Sequence, residues 1–465
     1  MATAWHPAPV FDPLATSRAM LDVLADGAGT RDALVRRQQE RLRARLADAR
    51  RDSRLYAELH RGADLDTPLA ELPVVTKRAL MARFDDWVID PALALPALRA
   101  FLADAECIAD AFAGHYAVWE SSGSSGEPGV FVQDAGAMAV YDALEALRRG
   151  ARTAAGDLDP WRLAQRQALV VATGGHFASQ VSLQRLRRLN PWLAQTLRSV
   201  SILQPLPALV AGLEAWQPAV LATYPTAAAM LGDAVERGDL RLALREVDTG
   251  GETLDDATRT RLSRQFGCPV RNHYGASEFL AIGWECAHGR MHVNADWVIL
   301  EPADARGRPV PPGTLSHTTL LTNLANRVQP LIRYDLGDQV AWLGDDCPCG
   351  SPLPTMRVRG RRDDPLHLRA DDGRRVTLLP LALTTVLEDD AGVFDFQLRQ
   401  RDAHTLCLRL GPEAERARGA RARCHRALRA YAKAQGLSRL AIVDEPGAPL
   451  AHGRSGKVQR VVAAR

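Results

Sequence analysis

Hydrophobic positions along this chain change their spacing, and the change predicts the order of its elements. Residues 14–60 are rich in Ala, Leu, Arg and Glu, with only Gly27 and Gly29 interrupting, which predicts a helical layer at the start of the chain. Apolar residues recur at helical spacing again over residues 135–152, which predicts another helix there. The chain therefore opens with helices and reaches its first strands only later.

Short apolar runs that end at glycines predict those strands. QALVVAT (167–173) runs into Gly174 and Gly175, AVLATYP (219–225) precedes a helical stretch closed by Gly238, and LREVDTGGE (244–252) ends on a second glycine pair. Strands alternating with helices of this length predict an α/β fold with a parallel sheet. Ligands bind at the carboxyl ends of such strands, so the loops TGGE and HYGASE are expected to converge.

The pattern changes again in the last third of the chain. Residues 285–358 contain short strand signals separated by Pro/Gly turns, which predicts a β-rich subdomain. The charged stretch RVRGRRDDP (357–365) has little to bury, so the boundary is placed after residue 360. We therefore expect a large domain over 1–360 and a small α+β domain over 361–465.

Composition narrows the class of protein. Among 465 residues, 46% are hydrophobic and 24% are charged, and the net charge of +3 comes from interleaved acids and bases, so no field favours nucleic acid or anionic lipid. No secretory or membrane-spanning segment is suggested, and a cytoplasmic location is expected. Seven cysteines are too few for a disulfide framework in so long a chain.

The stretch WESSGSSGEPG (119–129) offers the most specific chemistry. Its glycines let backbone N–H groups turn toward one anion and its hydroxyls add donors, which suits the phosphates of a nucleotide; the alternative is a solvated linker. The phosphate-binding candidates are Ser121, Ser122, Gly123, Ser124, Ser125 and Gly126.

The basic residues of the chain are unevenly chosen. It has only three lysines, Lys77, Lys433 and Lys457, against fifty-five arginines, so each lysine draws attention. Lys457 lies in AHGRSGKVQR, where a tight turn could present a single ammonium. The alternative is a solvated tail.

Taken in order, SSGSSGEPG, TGGET, HYGASE, LIRYDLGD, GRRDD and GRSGK resemble the motif series of adenylate-forming enzymes, the superfamily of acyl-CoA synthetases. PLAELPVVTK, CAHGRMHVNADW and CPCG look like the phenylacetate-CoA ligase branch. The resemblance implies a large N-terminal domain with parallel α/β sheets plus a β-rich subdomain, and a small mobile α+β C-terminal domain.

The resemblance also implies roles for individual residues. The serine loop would wrap the β- and γ-phosphates of ATP, although relatives usually carry lysine where this chain has Glu127. Lys457 would bridge the attacking carboxylate and the phosphate oxygens. The remaining nucleotide residues are, by similarity, Gly250, Gly251 and Glu252 along adenine, Tyr274 stacking on it with Gly275 as a further nucleotide-binding residue, Ser277 on the α-phosphate, Glu278 on Mg²⁺, and Asp338 and Arg361 on the ribose. Asp363 would be the hinge.

The implied reaction is the ATP-dependent conversion of a carboxylic acid to an acyl-adenylate, followed by transfer to coenzyme A. His176, Phe177 and Tyr224 resemble residues that flank the acyl group, and their rings suit an aromatic acid; for His176 the alternative is a core histidine. Other acceptors, such as an acyl carrier protein or an amine, fit the same first step. A catalytically impaired regulatory protein is a further alternative, for which Glu127 is the best argument.

A second constellation indicates a metal. Cys286, His292, Cys347 and Cys349 occupy places where the phenylacetate-ligase-like branch often has cysteines and a histidine, and three sulfurs with one imidazole suit structural Zn²⁺. His288 is an alternative fourth ligand. The remaining alternative is four unrelated residues, against which stands the rarity of CPCG without metal or redox use.

Overall fold

The structure is a computed structural model that describes residues 8–121, 128–148, 162–344, 346–359, 365–445 and 460–463. Helices of the described residues are α1 (Pro13–Ala28), α2 (Arg31–Asp52), α3 (Arg54–Leu59), α4 (Lys77–Ala82), α5 (Phe84–Trp87), α6 (Leu95–Leu102), α7 (Ala135–Leu147), α8 (Ala178–Leu189), α9 (Pro191–Thr196), α10 (Leu206–Trp216), α11 (Pro225–Glu236), α12 (Asp256–Phe266), α13 (Pro380–Thr385), α14 (Pro412–Arg416) and α15 (Ala420–Ala434), with a π-helical turn at Val386–Asp390. None of them is long and apolar enough to cross a membrane.

Side-chain caps divide the predicted N-terminal helical layer into α1, α2 and α3. The carboxylate of Asp12 accepts hydrogen bonds from the first turn of α1, and the hydroxyls of Thr30 and Ser53 do the same for α2 and α3. Each cap satisfies a backbone N–H that the helix itself leaves without a partner. The interruption at Gly29 therefore separates two helices, because Thr30 starts the second one.

The strands of the described residues are β1 (Ala117–Glu120), β2 (Val130–Gln133), β3 (Gln167–Val171), β4 (Leu197–Ser201), β5 (Val220–Thr223), β6 (Glu246–Gly250), β7 (Val270–Ala276), β8 (Phe279–Glu285), β9 (Met291–Val293), β10 (Val298–Ala303), β11 (Thr318–Asn323), β12 (Tyr334–Asp335), β13 (Gln339–Leu343), β14 (Thr355–Arg359), β15 (Leu366–Arg369), β16 (Arg375–Leu378), β17 (Phe396–Asp402), β18 (Thr405–Leu410), β19 (Ala441–Asp444) and β20 (Val461–Val462).

Nine of these strands form one mixed sheet in the order β13-β14-β9-β8-β7-β6-β5-β3-β4. The half from β4 to β7 is parallel, as the sequence predicts, and β8, β9, β14 and β13 extend it antiparallel. Gly250 pairs with His273 in the register of β6 and β7, so the TGGE and HYGASE loops are neighbours. Strands from the predicted β-rich stretch thus complete the main sheet, while β10, β11 and β12 form a separate three-stranded sheet.

Three groups of buried apolar side chains hold the described residues together. One joins the N-terminal helices to the β1-β2 hairpin and the antiparallel half of the main sheet, and includes the fully buried Trp87 and Trp119. A second packs helices against the parallel half. Burying one large apolar side chain stabilises the fold by roughly 1.5–3 kcal/mol.

The third group belongs to the C-terminal unit, which we define as residues 365–445 with 460–463. This unit has its own sheet, in the order β19-β18-β17-β20, and its own core. It lies against the parallel half of the main sheet: Leu379 and Ala382 enter that core, and the Gln435 side chain donates a hydrogen bond of 2.7 Å to the Leu203 carbonyl. The predicted boundary and the hinge at Asp363 lie outside the described residues.

Candidate functional site

The two ends of the serine loop are tied together at the mouth of the β1-β2 hairpin. The Ser121 N–H donates to the Gly129 carbonyl at 2.9 Å, and the Gly129 N–H donates to the Ser121 hydroxyl at 2.9 Å. A Cβ on Gly129 would lie 2.9 Å from the Phe131 ring, so glycine is required where the loop re-enters the hairpin. The loop residues Ser122, Gly123, Ser124, Ser125 and Gly126 lie outside the described residues.

Trp119 joins this hairpin to the HYGASE segment. Its ring is fully buried, and the indole N–H donates to the Ser277 carbonyl at 2.8 Å. Two segments separated by more than 150 residues are therefore adjacent. The start of the serine loop and the candidate α-phosphate residue belong to one site.

Two tyrosine–carboxylate pairs form the floor of the site. The Tyr274 hydroxyl donates to Asp338 at 2.9 Å, and the Tyr334 hydroxyl donates to Glu278 at 2.7 Å. Burial raises the pKa of Glu278, and the Tyr334 hydroxyl partly offsets this. Burial, followed by the charge of Asp338, raises the pKa of Tyr274 well above 10, so its hydroxyl stays a donor.

Gly275 explains the spacing of HYGASE. The pairing of β7 with β8 is irregular between Tyr274 and Ala276, and a Cβ at Gly275 would overlap the Leu280 carbonyl oxygen. A bulge of this kind re-aims the side chains on either side of it. Tyr274 and Glu278 reach the same site because glycine permits this close approach.

The TGGE segment is anchored to the start of α11. The Glu252 carboxylate accepts hydrogen bonds of 3.0 Å from both the backbone N–H and the hydroxyl of Thr226. Gly251 has a φ of +76°, and a Cβ there would lie 3.2 Å from the Tyr224 ring. Gly251, one of the candidate adenine-lining residues, thus lies next to Tyr224, whereas the carboxylate of Glu252 serves as a helix cap.

The candidate acyl residues differ in exposure. His176 is 1% exposed, its Nε2 lies 2.9 Å from the Asp104 carbonyl, and its ring lies 5.3 Å from that of Phe101. Burial lowers the pKa of His176, so the ring is neutral near pH 7. Phe177 and Tyr224 are half-buried. The structure thus packs His176 behind the wall of the site, as in the core-histidine alternative, and leaves the other two rings nearer to solvent.

Lys77 is a site residue that the sequence reasoning did not assign. A Cβ on Gly129 would lie 3.0 Å from the Lys77 Cδ, and the charge of Lys77 lowers the pKa of Glu278 against the effect of burial. Lys77 is half-buried at the start of α4. Its rarity was the available signal: where arginine serves nearly every basic position, a lysine in PVVTK invited a specific role.

A separate cluster of possible metal ligands lies where β8, β9 and the loop between β13 and β14 meet. The ligand atoms of Cys286, His292, Cys347 and Cys349 all lie within 4.8 Å of one another. The Cys286 and Cys347 sulfurs are 3.6 Å apart, and the Cys349 sulfur lies 3.3 Å from His292 Nε2. Tetrahedral Zn–S bonds of about 2.3 Å imply sulfurs roughly 3.8 Å apart, so the spacing fits zinc.

The imidazole of the cluster is oriented by its surroundings. His292 Nδ1 lies 3.0 Å from the Leu353 carbonyl, and the ring stacks on Trp284 at 5.1 Å. A hydrogen bond from Nδ1 leaves Nε2 with a lone pair toward the sulfurs, which is the tautomer that metal-bound histidines use. His288, the alternative ligand, is not part of the cluster.

Three further predicted residues, Arg361, Asp363 and Lys457, lie outside the described residues. Their roles stay predictions. The nucleotide residues that the structure does describe converge on one side of the main sheet, at the carboxyl ends of β6 and β7.

Comparisons with known proteins agree with this architecture. Two crystal structures of 2-hydroxyisobutyryl-CoA ligase are similar to the chain: the complex with 2-HIB-AMP and CoA in the thioesterification state has a TM-score of 0.57 and 20% identity, covering 92% of this chain and 88% of that chain. The open conformation with 2-HIB-AMP and CoA has a TM-score of 0.53 and 19% identity, covering 91% and 90%. The chain therefore has the fold of adenylate-forming CoA ligases, which confirms the predicted fold class.

Comparison by sequence covers a smaller part of the chain than comparison by structure. Protein CapK of Staphylococcus aureus is 26% identical over 162 residues, so the match spans 34% of this chain and 34% of that relative. No protein-family model matches the chain.

Proposed function

We propose that the protein is an AMP-forming acid–thiol ligase, which activates a carboxylic acid with ATP and transfers the acyl group to a thiol, with coenzyme A as the first candidate. The observation that carries the proposal is the convergence of Ser121, Ser277, Glu278 and Lys77 on one site. This convergence supports phosphoryl chemistry, because hydroxyl donors, an acid and a cation meet beside the same loop. The fold shared with CoA ligases supports the same reaction class.

In the first half-reaction, which forms the acyl-adenylate, each of the site residues has a proposed role. The substrate carboxylate attacks the α-phosphorus of ATP, a P–O bond forms, the bond to pyrophosphate breaks, and acyl-AMP remains. Lys77 and Lys457 offset the charge that grows on the phosphate oxygens. Glu278 would hold Mg²⁺, which neutralises phosphate charge when bound. Tyr274 and the glycine pair of TGGE would hold the base, and Asp338 the ribose.

In the second half-reaction a thiol attacks the acyl carbon of the mixed anhydride, AMP leaves, and the thiol proton passes to solvent. Rotation of the C-terminal unit about Asp363 would exchange Lys457 for another face of that unit between the two steps. We further propose an aromatic acid as substrate, because the half-buried rings of Phe177 and Tyr224 offer flat apolar surface. The phenylacetate-CoA ligase-like branch is part of this proposal.

Acid-dependent exchange of radiolabelled pyrophosphate into ATP tests the first half-reaction. Benzoates, arylacetates, short hydroxy acids and fatty acids are compared, and AMP release is then measured with and without coenzyme A. Exchange with arylacetates that turns into AMP release on adding coenzyme A is the expected result. Absence of exchange with every acid would remove the proposed activity, and preference for long-chain acids would remove the aromatic substrate.

We also propose that Cys286, His292, Cys347 and Cys349 hold a structural Zn²⁺, which would brace β8 and β9 against the β13–β14 loop. Metal analysis after dialysis is expected to find about one zinc per chain. Cys347→Ser should lose the metal and lower the melting temperature, while His288→Ala, outside the cluster, should keep both. Less than half an equivalent in the wild-type protein would contradict the site.

A further inference from the structure

A group of carboxylates lies where the C-terminal unit meets the main sheet, beside the start of the serine loop. The π-helical turn Val386–Asp390 places an Asp389 carboxylate oxygen 3.6 Å from the position of a Cβ on Gly175. Glu120, the last residue of β1, is held at the same loop, because its backbone N–H donates to the His176 carbonyl at 3.0 Å. Segments more than 250 residues apart in sequence thus meet at one double glycine, and the charge of Glu120 acts on Asp389.

The cation that the structure describes beside this turn already has a carboxylate partner. Glu388, on the same turn, forms a buried ion pair with Arg460, and Asp390 adds another carboxylate beside Asp389. The nearest titratable group on the glycine loop is His176, whose buried ring is neutral near pH 7 because burial lowers its pKa. Among the described residues, the charges that act on Glu120 and Asp389 are therefore all carboxylates, whereas Arg460 is paired with Glu388.

The surrounding negative charge and burial raise the pKa values of Glu120 and Asp389. Burial, and then the charge of Glu388, raises the pKa of Glu120 to about 7. Burial, and then the charges of Glu120, Glu388 and Asp390, raises the pKa of Asp389 to about 7. Glu120 is half-buried whereas Asp389 keeps solvent access, so we expect the larger effect at Glu120.

We propose that Glu120 and Asp389 form a pH-sensitive latch, which holds the C-terminal unit on the main sheet while the two carboxylates carry protons and loosens when both are charged. The latch concerns only how the C-terminal unit docks on the main sheet. It can therefore be tested without any measurement of the proposed ligase activity. A π-helical turn is an uncommon local structure that often marks a functional position, and here it carries one half of the latch.

The sign of the effect follows from linkage. Both groups bind protons more tightly when docked than at their ordinary pKa values of 4.5 and 3.8. Docking is therefore strongest below those ordinary values and weakens as the pH rises toward 7. For each proton held only in the docked arrangement, the ratio of docked to undocked molecules falls about tenfold per pH unit between those limits.

Hydrogen–deuterium exchange on the full chain tests the latch. The peptides to follow contain Leu203 and Gln435, whose hydrogen bond joins the C-terminal unit to the sheet. Wild type and Glu120→Gln/Asp389→Asn are compared at the same pH from 5 to 8, so that the intrinsic exchange rate cancels. Asp372→Asn, an exposed acid in a turn of the same unit, is the matched control.

Protection of these peptides in the wild type is expected to fall by roughly tenfold or more between pH 5 and 7. The double variant should stay protected throughout, and the control should follow the wild type. Equal loss in wild type and double variant, or constant protection in the wild type, would overturn the proposal. If the double variant does not fold, Glu120→Gln alone must raise the pH at which protection falls.

Discussion

Carboxylates flank the start of the serine loop in two regions, and the two regions handle negative charge in opposite ways. In the candidate site, Glu278 and Asp338 each accept a hydrogen bond from a tyrosine hydroxyl, and Lys77 lies close to Glu278. At the contact with the C-terminal unit, Glu120 and Asp389 face mainly other acids. The carboxylates of the candidate site have hydrogen-bond donors as fixed partners. We expect those at the contact with the C-terminal unit to be neutralised by binding protons.

The difference separates two kinds of task. Groups that stabilise a reacting phosphate gain from fixed partners, because no reorganisation is then needed during the reaction. A contact that must form and break gains from a small free-energy difference that conditions can shift. Single substitutions can therefore disturb one region at a time.

The largest effect is expected from Lys457→Ala. Lys457 lies three residues before Arg460, which forms an ion pair with Glu388 beside the latch. The proposed role of Lys457 is nevertheless in the candidate site. Pyrophosphate exchange should fall by about 10³-fold or more, because the variant lacks the ammonium that is proposed to offset negative charge on the reacting phosphate. Thioester formation from supplied acyl-AMP should be spared. Equal loss of both half-reactions would reject this division between the two regions.

Lys77→Ala is expected to lower the exchange rate by about 10²–10³-fold, because the site loses a cation beside its buried acid. Lys77→Arg should recover part of this, as it keeps the charge in a bulkier group. The control is Lys433→Ala, an exposed lysine on α15. A loss equal to that of the control would remove Lys77 from the site.

Tyr334→Phe deletes the hydroxyl that bonds Glu278 and should lower activity by roughly tenfold, about 1.4 kcal/mol. Burial already raises the pKa of Glu278 and the hydroxyl lowers it, so the variant's pKa should rise further. Activity needs the charged acid; the acid limb of the pH–rate profile should therefore move to higher pH. Tyr116→Phe, which removes a similar bond of 2.5 Å to Asp90, should leave that limb in place.

Trp119→Phe should have the smallest effect on rate, a few-fold, and a larger one on stability. The Ser277 carbonyl loses its donor, which costs about 1 kcal/mol, and the smaller ring adds a cavity. Denaturant unfolding measures the loss, with the exposed Trp192→Phe as control. An unchanged midpoint would mean that the indole does not tie the two segments together.

The sequence predicted the site best where a motif follows a strand. TGGE and HYGASE end neighbouring parallel strands, so the rule for strand ends was sufficient to bring them together. The helical layer over residues 14–60 was predicted from its composition, and the structure adds the caps at Asp12 and Thr30 that start its first two helices. In these places the local pattern and the tertiary structure depend on the same residues.

Other features depend on contacts that no local pattern encodes. The strands of the β-rich stretch were predicted, but not their pairing onto the main sheet, because register is set by tertiary packing. The charge of Lys77 acts on Glu278 across about 200 residues of sequence, and the charge of Glu120 acts on Asp389 across more than 250. For His176 the sequence left an acyl-pocket residue and a core histidine as alternatives, and its backbone partner at Asp104 is a contact that no local pattern encodes.

Leu379 and Ala382 have a consequence for any experiment that divides the chain. Both belong to the C-terminal unit by sequence, yet they are buried in the apolar core of the parallel half of the sheet. A shortened protein ending before them would expose apolar surface of this core to water and should aggregate. The proposed rotation of the unit would carry the same cost, so a second position of the unit must cover these two side chains with other apolar groups.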